Sequence, residues 1–404
     1  MMGAVVAVEA GRTERRARAA VALVFLTNGL VYANLLPRFP QIKADLGLSN
    51  TQLGLAVAAM PFAALLAGLT AGPLIARFTS AKVASFGMAV IALGVVLVGF
   101  APSWALFATA MLLVGASDAV VDVAQNAHGL RVQRRYGRSI LNGFHALWSV
   151  GAVAGGLMGS AAAGIGLALP VHLGLSSLLS VVIAVAVYPS LLRGADGDDR
   201  PVPDAADAAP PRRPWTGLGP RTVALLAVFG LVAISGTLVE DSGATWAAVY
   251  LQGLEAGAAV AGLGFVALQG CQFVGRLIGD RMVDRFGQRA VARAGGGLVL
   301  AGTGLALAFP TVPGTVAGFG LAGFGVATLV PAAMTAADHL PGLAPGTGLT
   351  IVTWLMRVGF LVSPPVVGLV ADATSLRAGL LVVPLAGLVV VVVAGVLSTR
   401  RTRA

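Results

Sequence analysis

The chain has 404 residues, of which 57% are hydrophobic and 11% charged, and its formal net charge is +10. Soluble domains carry about 25% charged residues, so this composition excludes an ordinary soluble domain and makes lipid the main solvent. The single cysteine, Cys271, excludes a disulfide framework and a cysteine-based metal site.

Crossing the ~30 Å hydrocarbon core takes about 20 apolar residues, and stretches of that length recur along the whole chain. They predict helices over 19–39, 51–76, 83–101, 104–130, 139–164 and 170–192. A second set follows over 221–250, 258–280, 290–309, 313–337, 347–371 and 376–398. The first span is read as a retained helix, because its apolar run is long and lacks a clear cleavage site. Between the two sets lies a polar segment, 193–220, with six prolines, five aspartates and four arginines. Such a segment buries too little apolar surface to fold and reads as a solvated linker. The expected fold class is an all-α membrane protein with twelve transmembrane helices in two six-helix bundles. The expected domains are an N-terminal bundle at 1–192, a cytoplasmic linker at 193–220 and a C-terminal bundle at 221–404.

The basic residues explain themselves by position. They cluster at the N-terminus (Arg12, Arg15, Arg16, Arg18) and after spans 2 and 4 (Arg77, Lys82; Arg131, Arg134, Arg135, Arg138). They recur in the linker, around the turn after span 8 (Arg276, Arg281, Arg285, Arg289, Arg293) and at the tail (Arg400, Arg401, Arg403). The alternate loops hold only Arg38, Lys43 and Arg377. An excess of Lys and Arg marks cytoplasmic loops, which places both termini and the linker in the cytoplasm. The charge is topological and does not indicate nucleic acid.

Ionisable groups at bilayer depth are costly and usually face a cavity, so the few present are candidates for function. In span 1, Asn28 and Tyr32 lie four apart on one face, beside Thr27 and Asn34. In span 4, Asp118 sits roughly 20 Å from either end, with Asp122 and Asn126 following at one-turn steps. Span 5 carries Asn142 and His145, and matching depths predict that Asp122 and His145 meet. An interhelical clamp would explain the same pair. Span 7 carries Glu240 and Asp241, then Gly243, Trp246 and Tyr250. As one helix it would run about 45 Å, so a break near Gly243, acidic and aromatic-lined, is expected. Arg357 in span 11 lies about 16 Å deep and needs an acidic partner or an anionic solute; Asp118 matches its depth. His128, His172 and His339 fall at span ends and are read as solvated. Pro61, Pro331, Pro364 and Pro365 mark expected kinks, and Gly151, Gly155 and Gly159 form a small-residue face for close helix approach.

Two loops carry a sharper signal. Asp280-Arg-Met-Val-Asp284-Arg285-Phe-Gly287-Gln-Arg289, after span 8, resembles the cytoplasmic loop signature of the major facilitator superfamily. The loop after span 2, Gly72-Pro-Leu-Ile-Ala76-Arg77-Phe-Thr79, keeps the frame but lacks the acid and the later glycine. The resemblance implies that Asp284, with Arg285, caps a helix N-terminus in the other bundle and helps close an inner gate, here at the start of span 5 beside Arg138. The segments at 37–49, 122–126, 145–151 and 240–251 resemble the rhizopine-transporter-like (MosC-like) branch, which implies sugar- or polyol-like solutes. Gly151-Ala152-Val-Ala-Gly155-Gly156 approximates the span-5 motif of drug–proton exporters, with Ala152 where they have proline.

The reading is a secondary transporter of the cell membrane, not an enzyme, moving a small-molecule solute by alternating access. It is expected to couple to a proton or another ion, to act as a monomer, and to use no cofactor, metal or nucleic acid. A Gly-x-x-x-x-Gly-Lys-Ser/Thr loop for ATP is absent from the sequence. The candidate solute and proton sites are Asn28, Tyr32, Asp118, Asp122, Asn126, His145, Glu240, Asp241, Trp246 and Arg357. A drug or metabolite–proton antiporter is the alternative. A passive channel, or a Mg-dependent prenyltransferase suggested by the Asp118-x-x-x-Asp122 spacing, is remote.

Overall fold

A computed structural model describes residues 11–196, 219–340, 343 and 346–397. Residues 197–218, most of the predicted linker, and the arginines of the tail lie outside the described residues. Among the described residues, twelve helices are long and apolar enough to cross a membrane. They are α1 (Arg12–Asp45), α2 (Asn50–Phe78), α3 (Ser80–Gly99), α4 (Trp104–Tyr136), α5 (Leu141–Gly164) and α6 (Leu169–Ser190). The second set is α7 (Pro220–Gly253), α8 (Ala258–Phe286), α9 (Gln288–Ala308), α10 (Val312–Asp338), α11 (Thr347–Ala373) and α12 (Leu376–Val396).

The helix starts follow local chemistry. Ser49 and Gln52 form a reciprocal capping box at α2, and the side chains of Ser103 and Thr311 accept from the backbone at α4 and α10. Gly137, in the left-handed conformation at φ 74°, ends α4. Prolines act less simply than expected. Pro61 sits inside the helix Asn50–Ala67 without ending it, and α2 instead tightens into a 3-10 turn at Gly68–Thr70. In α10 the helix breaks just before Pro331, between Val326 and Leu329. The break predicted in α7 is absent: Pro220–Gly253 is one continuous helix. Gly243 is needed for packing instead, since an added Cβ there would collide with Leu268 of α8.

The helices form two six-helix bundles, α1–α6 and α7–α12. Within the first, α1 packs on α5, and α3 and α2 pack on α4; within the second, α9 and α8 pack on α10, and α7 on α11. The glycine face of α5 lies on α1: a Cβ at Gly151, Gly155 or Gly159 would strike the α1 carbonyls of Leu26, Leu30 or Asn34. The most extensive packing between the bundles is of α2 on α11 and of α5 on α8, with the end of α1 also touching α7 and α8. Both main pairs are tight at the end opposite the described termini, where Gly54 meets the Pro364 carbonyl and Gly262 meets Ser160 and Pro37. Toward the other end they separate: a Cβ on Gly270 of α8 would find only Val153 of α5, at 3.9 Å, one on Gly68 of α2 only the end of the Arg357 side chain, at 3.8 Å, and no hydrogen bond or ion pair joins described residues of the two bundles there. The seam between the bundles is therefore closed at one end and open at the end that carries the termini.

Candidate functional site

At mid-depth of the first bundle, three helices converge on one amide. Trp148 Nε1 of α5 donates to Asn28 Oδ1 (2.9 Å), and Asn28 Nδ2 donates to Asp118 Oδ1 of α4 (2.8 Å). An indole N–H can only donate, so it fixes the Asn28 oxygen toward Trp148 and leaves the NH2 for the carboxylate. Tyr32, one turn along α1 from Asn28, is half-buried and lies within electrostatic range of both Asp118 and Asp241.

One turn nearer the open end, Asp122 is exposed. Asn126 Nδ2 donates to the Asp122 carbonyl (2.8 Å) and to its Oδ1 (3.0 Å), and Gln125 Nε2 donates to the same Oδ1 (3.3 Å). His145 Nε2 pairs with Asn126 Oδ1 (3.1 Å). An amide oxygen only accepts, so the proton of this bond belongs to His145 Nε2. The expected meeting of Asp122 and His145 is therefore indirect: the Asn126 amide sits between them because it can accept from one and donate to the other. Phe25 packs against the His145 ring at a centroid distance of 5.1 Å. Asn142 makes no hydrogen bond among the described residues.

Across the seam, Gln272 Nε2 of α8 donates to Glu240 Oε2 (2.8 Å), and Arg276 Nη2 lies 3.7 Å from the same oxygen. Beside it, Ser242 and Ser363 share a hydrogen bond (3.1 Å), and Asp241 Oδ2 is buried without a hydrogen-bond partner. Trp246 and Tyr250 do not line a polar break. They are 0% and 6% exposed within the hydrophobic core, because the unbroken α7 turns that face onto its neighbours. Trp246 is accordingly removed from the solute site.

Arg357 makes no ion pair among the described residues, and Asp118 is bonded to Asn28 instead, so the expected Asp118–Arg357 pair is not formed. The guanidinium reaches toward α2, where a Cβ on Gly68 would lie 3.8 Å from Nη1. At the open end, Asp284 is exposed and makes no hydrogen bond among the described residues. Arg285 stacks on Phe286 (5.4 Å), and Arg138 and Arg18 stack on Tyr136 (5.3 and 5.2 Å). The expected Asp284 latch at the start of α5 is thus disengaged, as separated bundles require.

Two histidines correct the solvated reading. His128 is buried between Ser80 Oγ (2.7 Å) and the Leu192 N–H (3.1 Å), and His172 pairs with Asn34 Oδ1 (3.0 Å). His339 is exposed, as expected. Sequence reasoning also passed over Trp148, Gln272, Arg276 and Ser363 as site residues. Trp148 did carry a signal, lying three residues after His145 and so on nearly the same helix face.

The Major Facilitator Superfamily model matches residues 21–281 and 242–404. The chain is 30% identical over 377 residues to the membrane protein MosC of Rhizobium meliloti, covering 92% of this chain and 88% of that one. It is 29% identical over 356 residues to an uncharacterized MFS-type transporter of Yersinia pestis, with 88% of each covered. The fold is similar to the nucleoside transporter NupG (TM-score 0.71, 14% identity, 95% of this chain and 98% of that). It is also similar to a bacterial homologue of the human lysosomal transporter Spinster in an inward-facing, occupied conformation (TM-score 0.68, 15% identity, 94% of each chain). The family match and the transporters among these relatives set aside the prenyltransferase reading of Asp118 and Asp122. The chain belongs to the Major Facilitator Superfamily and is a multi-pass membrane transporter.

Proposed function

We propose that this transporter moves a small polyhydroxylated solute, sugar- or polyol-like, by alternating access, with Asp118 carrying the coupling proton. Both termini face the cytoplasm of a plasma-membrane protein, so the conformation described is inward-open. The moving bodies are residues 1–192 and 221–404, tethered by 193–220, and the protein works as a monomer. The Trp148–Asn28–Asp118 chain carries the reading. It holds a titratable carboxylate at mid-depth on an amide that can exchange protein partners for solute hydroxyls. Asp122, Asn126 and His145 supply further donors and acceptors on the path from the open end, and the Trp148 ring offers an apolar face to a sugar. Across the seam, Glu240, held by Gln272 and Arg276, and Asp241 near Tyr32 form the opposing wall, with Arg357 as a cation at its inner edge. The resemblance to the MosC-like branch supports the polyol class.

The test is accumulation of labelled polyols in proteoliposomes under an imposed pH gradient. Wild-type protein is expected to accumulate solute against its gradient. Asp118→Asn is expected to lose the response to pH while still exchanging solute down its own gradient. Accumulation by Asp118→Asn equal to wild type would remove the proton assignment, and no saturable flux of any polyol would remove the solute class.

A further inference from the structure

At the closed end of the seam, one carboxylate crosses between the bundles. Asp372, in the last turn of α11, accepts hydrogen bonds from Asn50 N (2.9 Å), Thr51 N (2.8 Å) and Asn50 Nδ2 (2.9 Å) at the start of α2. The first N–H groups of a helix have no intrahelical acceptor, and they form the positive end of its dipole. At α2 their satisfaction divides cleanly. Gln52 N donates to Ser49 Oγ and Ser49 N to Gln52 Oε1, both within the first bundle. Asn50 N and Thr51 N depend on a residue more than 300 positions away in the second bundle. The backbones are in close contact beside this bond, since a Cβ on Gly368, one turn before Asp372, would strike the Asn50 carbonyl. The other seam at the same end, α5 against α8, is sealed by the apposition of Gly262 with Ser160 and Pro37.

We propose that Asp372 is the latch of the outer gate, a carboxylate on the N-terminus of α2 that favours the state with the outer end closed. The proposal rests on the alternating-access reading above. Opening the outer end separates α11 from α2 and leaves Asn50 N and Thr51 N, together with the carboxylate, to water alone. Asp284, the acid expected to latch the opposite end, has no partner among the described residues while Asp372 has three. One engaged carboxylate and one released one is the division that two gates closing alternately require.

The experiment uses the full-length protein with Cys271→Ser, spin-labelled at Pro102→Cys and Pro310→Cys, exposed positions in outer loops of the two bundles. The distribution of distances between the labels is compared with and without Asp372→Ala. Because Asp372 is exposed, water partly replaces its bonds, and the expected rise in the ratio of long to short separations is about three- to tenfold. Asp372→Asn keeps one acceptor oxygen and should move the ratio in the same direction by less; it carries the test if the alanine variant fails to fold. Two populations in an unchanged ratio in both variants would overturn the latch and leave alternating access standing. A single, unchanged separation in all three proteins would overturn both.

Discussion

The loop between α2 and α3 and the loop between α8 and α9 occupy equivalent places in the two bundles and solve the same problem with different residues. In both, the helix ends on Arg-Phe with the guanidinium stacked on the adjacent ring at 5.4 Å, Arg77 on Phe78 and Arg285 on Phe286. In both, the next residue has nearly the same unusual backbone: φ 81°, ψ 149° at Thr79 and φ 82°, ψ 151° at Gly287. That region is essentially reserved for glycine, so the first loop holds a strained threonine where the second has the permissive residue. The acids differ as well. The second loop has Asp284 in the last turn of the helix before it, exposed and unbonded among the described residues. The first has none, and the N-terminus of α3 is capped from outside: Asp196, beyond α6, accepts from Ser80 N (2.7 Å) and from Ser80 Oγ. Buried His128 and Arg131 brace this cap, His128 through Ser80 and Arg131 at 4.0 Å from Asp196. Thus one loop is tied to its own bundle while the other keeps its carboxylate free for the opposite one.

This contrast makes predictions in three pairs, the acids, the loop residues and the arginines. Asp196→Ala removes a charged acceptor from buried Ser80 and Arg131 and should destabilise the protein by about 2 kcal/mol, visible as a lower melting temperature in detergent. Asp284→Ala should leave stability within about 0.5 kcal/mol, because that carboxylate has nothing bonded to it here. Equal losses in the two variants would break the comparison. Gly287→Ala should cost about 1–3 kcal/mol, since alanine must adopt a backbone that its Cβ opposes. Thr79→Gly should do the reverse and stabilise by about 1 kcal/mol, relief of strain exceeding the entropy that glycine adds to the unfolded chain. A loss at Thr79→Gly would show that the threonine is held there for another reason. Arg77→Ala and Arg285→Ala should each cost about 0.5 kcal/mol, and by similar amounts, because the two stacking contacts have the same geometry. Unequal losses would place one of the arginines in contacts beyond its neighbouring ring.

The residues legible in the sequence are those whose environment is set by depth alone. Asp118, Asp122 and Asn126 follow from their position in α4, and the helix count follows from runs of apolar length. Partners were harder to read. Depth matches Asp118 to Arg357, yet depth says nothing about rotation around the bundle, and the structure turns Asp118 to Asn28. Asp122 and His145 are at the same level, but Asn126 fills the space between them. Arg276 belonged, by sequence, to the basic cluster that sets topology; only the packing of α8 on α7 brings it to Glu240. His128 and His172 lie near span ends, where solvation is the simple expectation, but the segment after α6 covers one and Asn34 of α1 binds the other. Asp372 gave no signal because a carboxylate at a helix end carries no anomaly until its partner is known.

What the chain determines by itself is which segments enter the bilayer, how many they are and which end carries the positive charge. These follow from transfer free energies summed over each segment, which depend on local composition and not on neighbours. Only the tertiary structure decides which polar groups meet, that the α7 helix runs unbroken through Gly243, and that the seam is closed at Asp372 and open at Asp284. Hydrogen bonds and backbone contacts across the seam join residues hundreds of positions apart, and their geometry exists only once both bundles are packed.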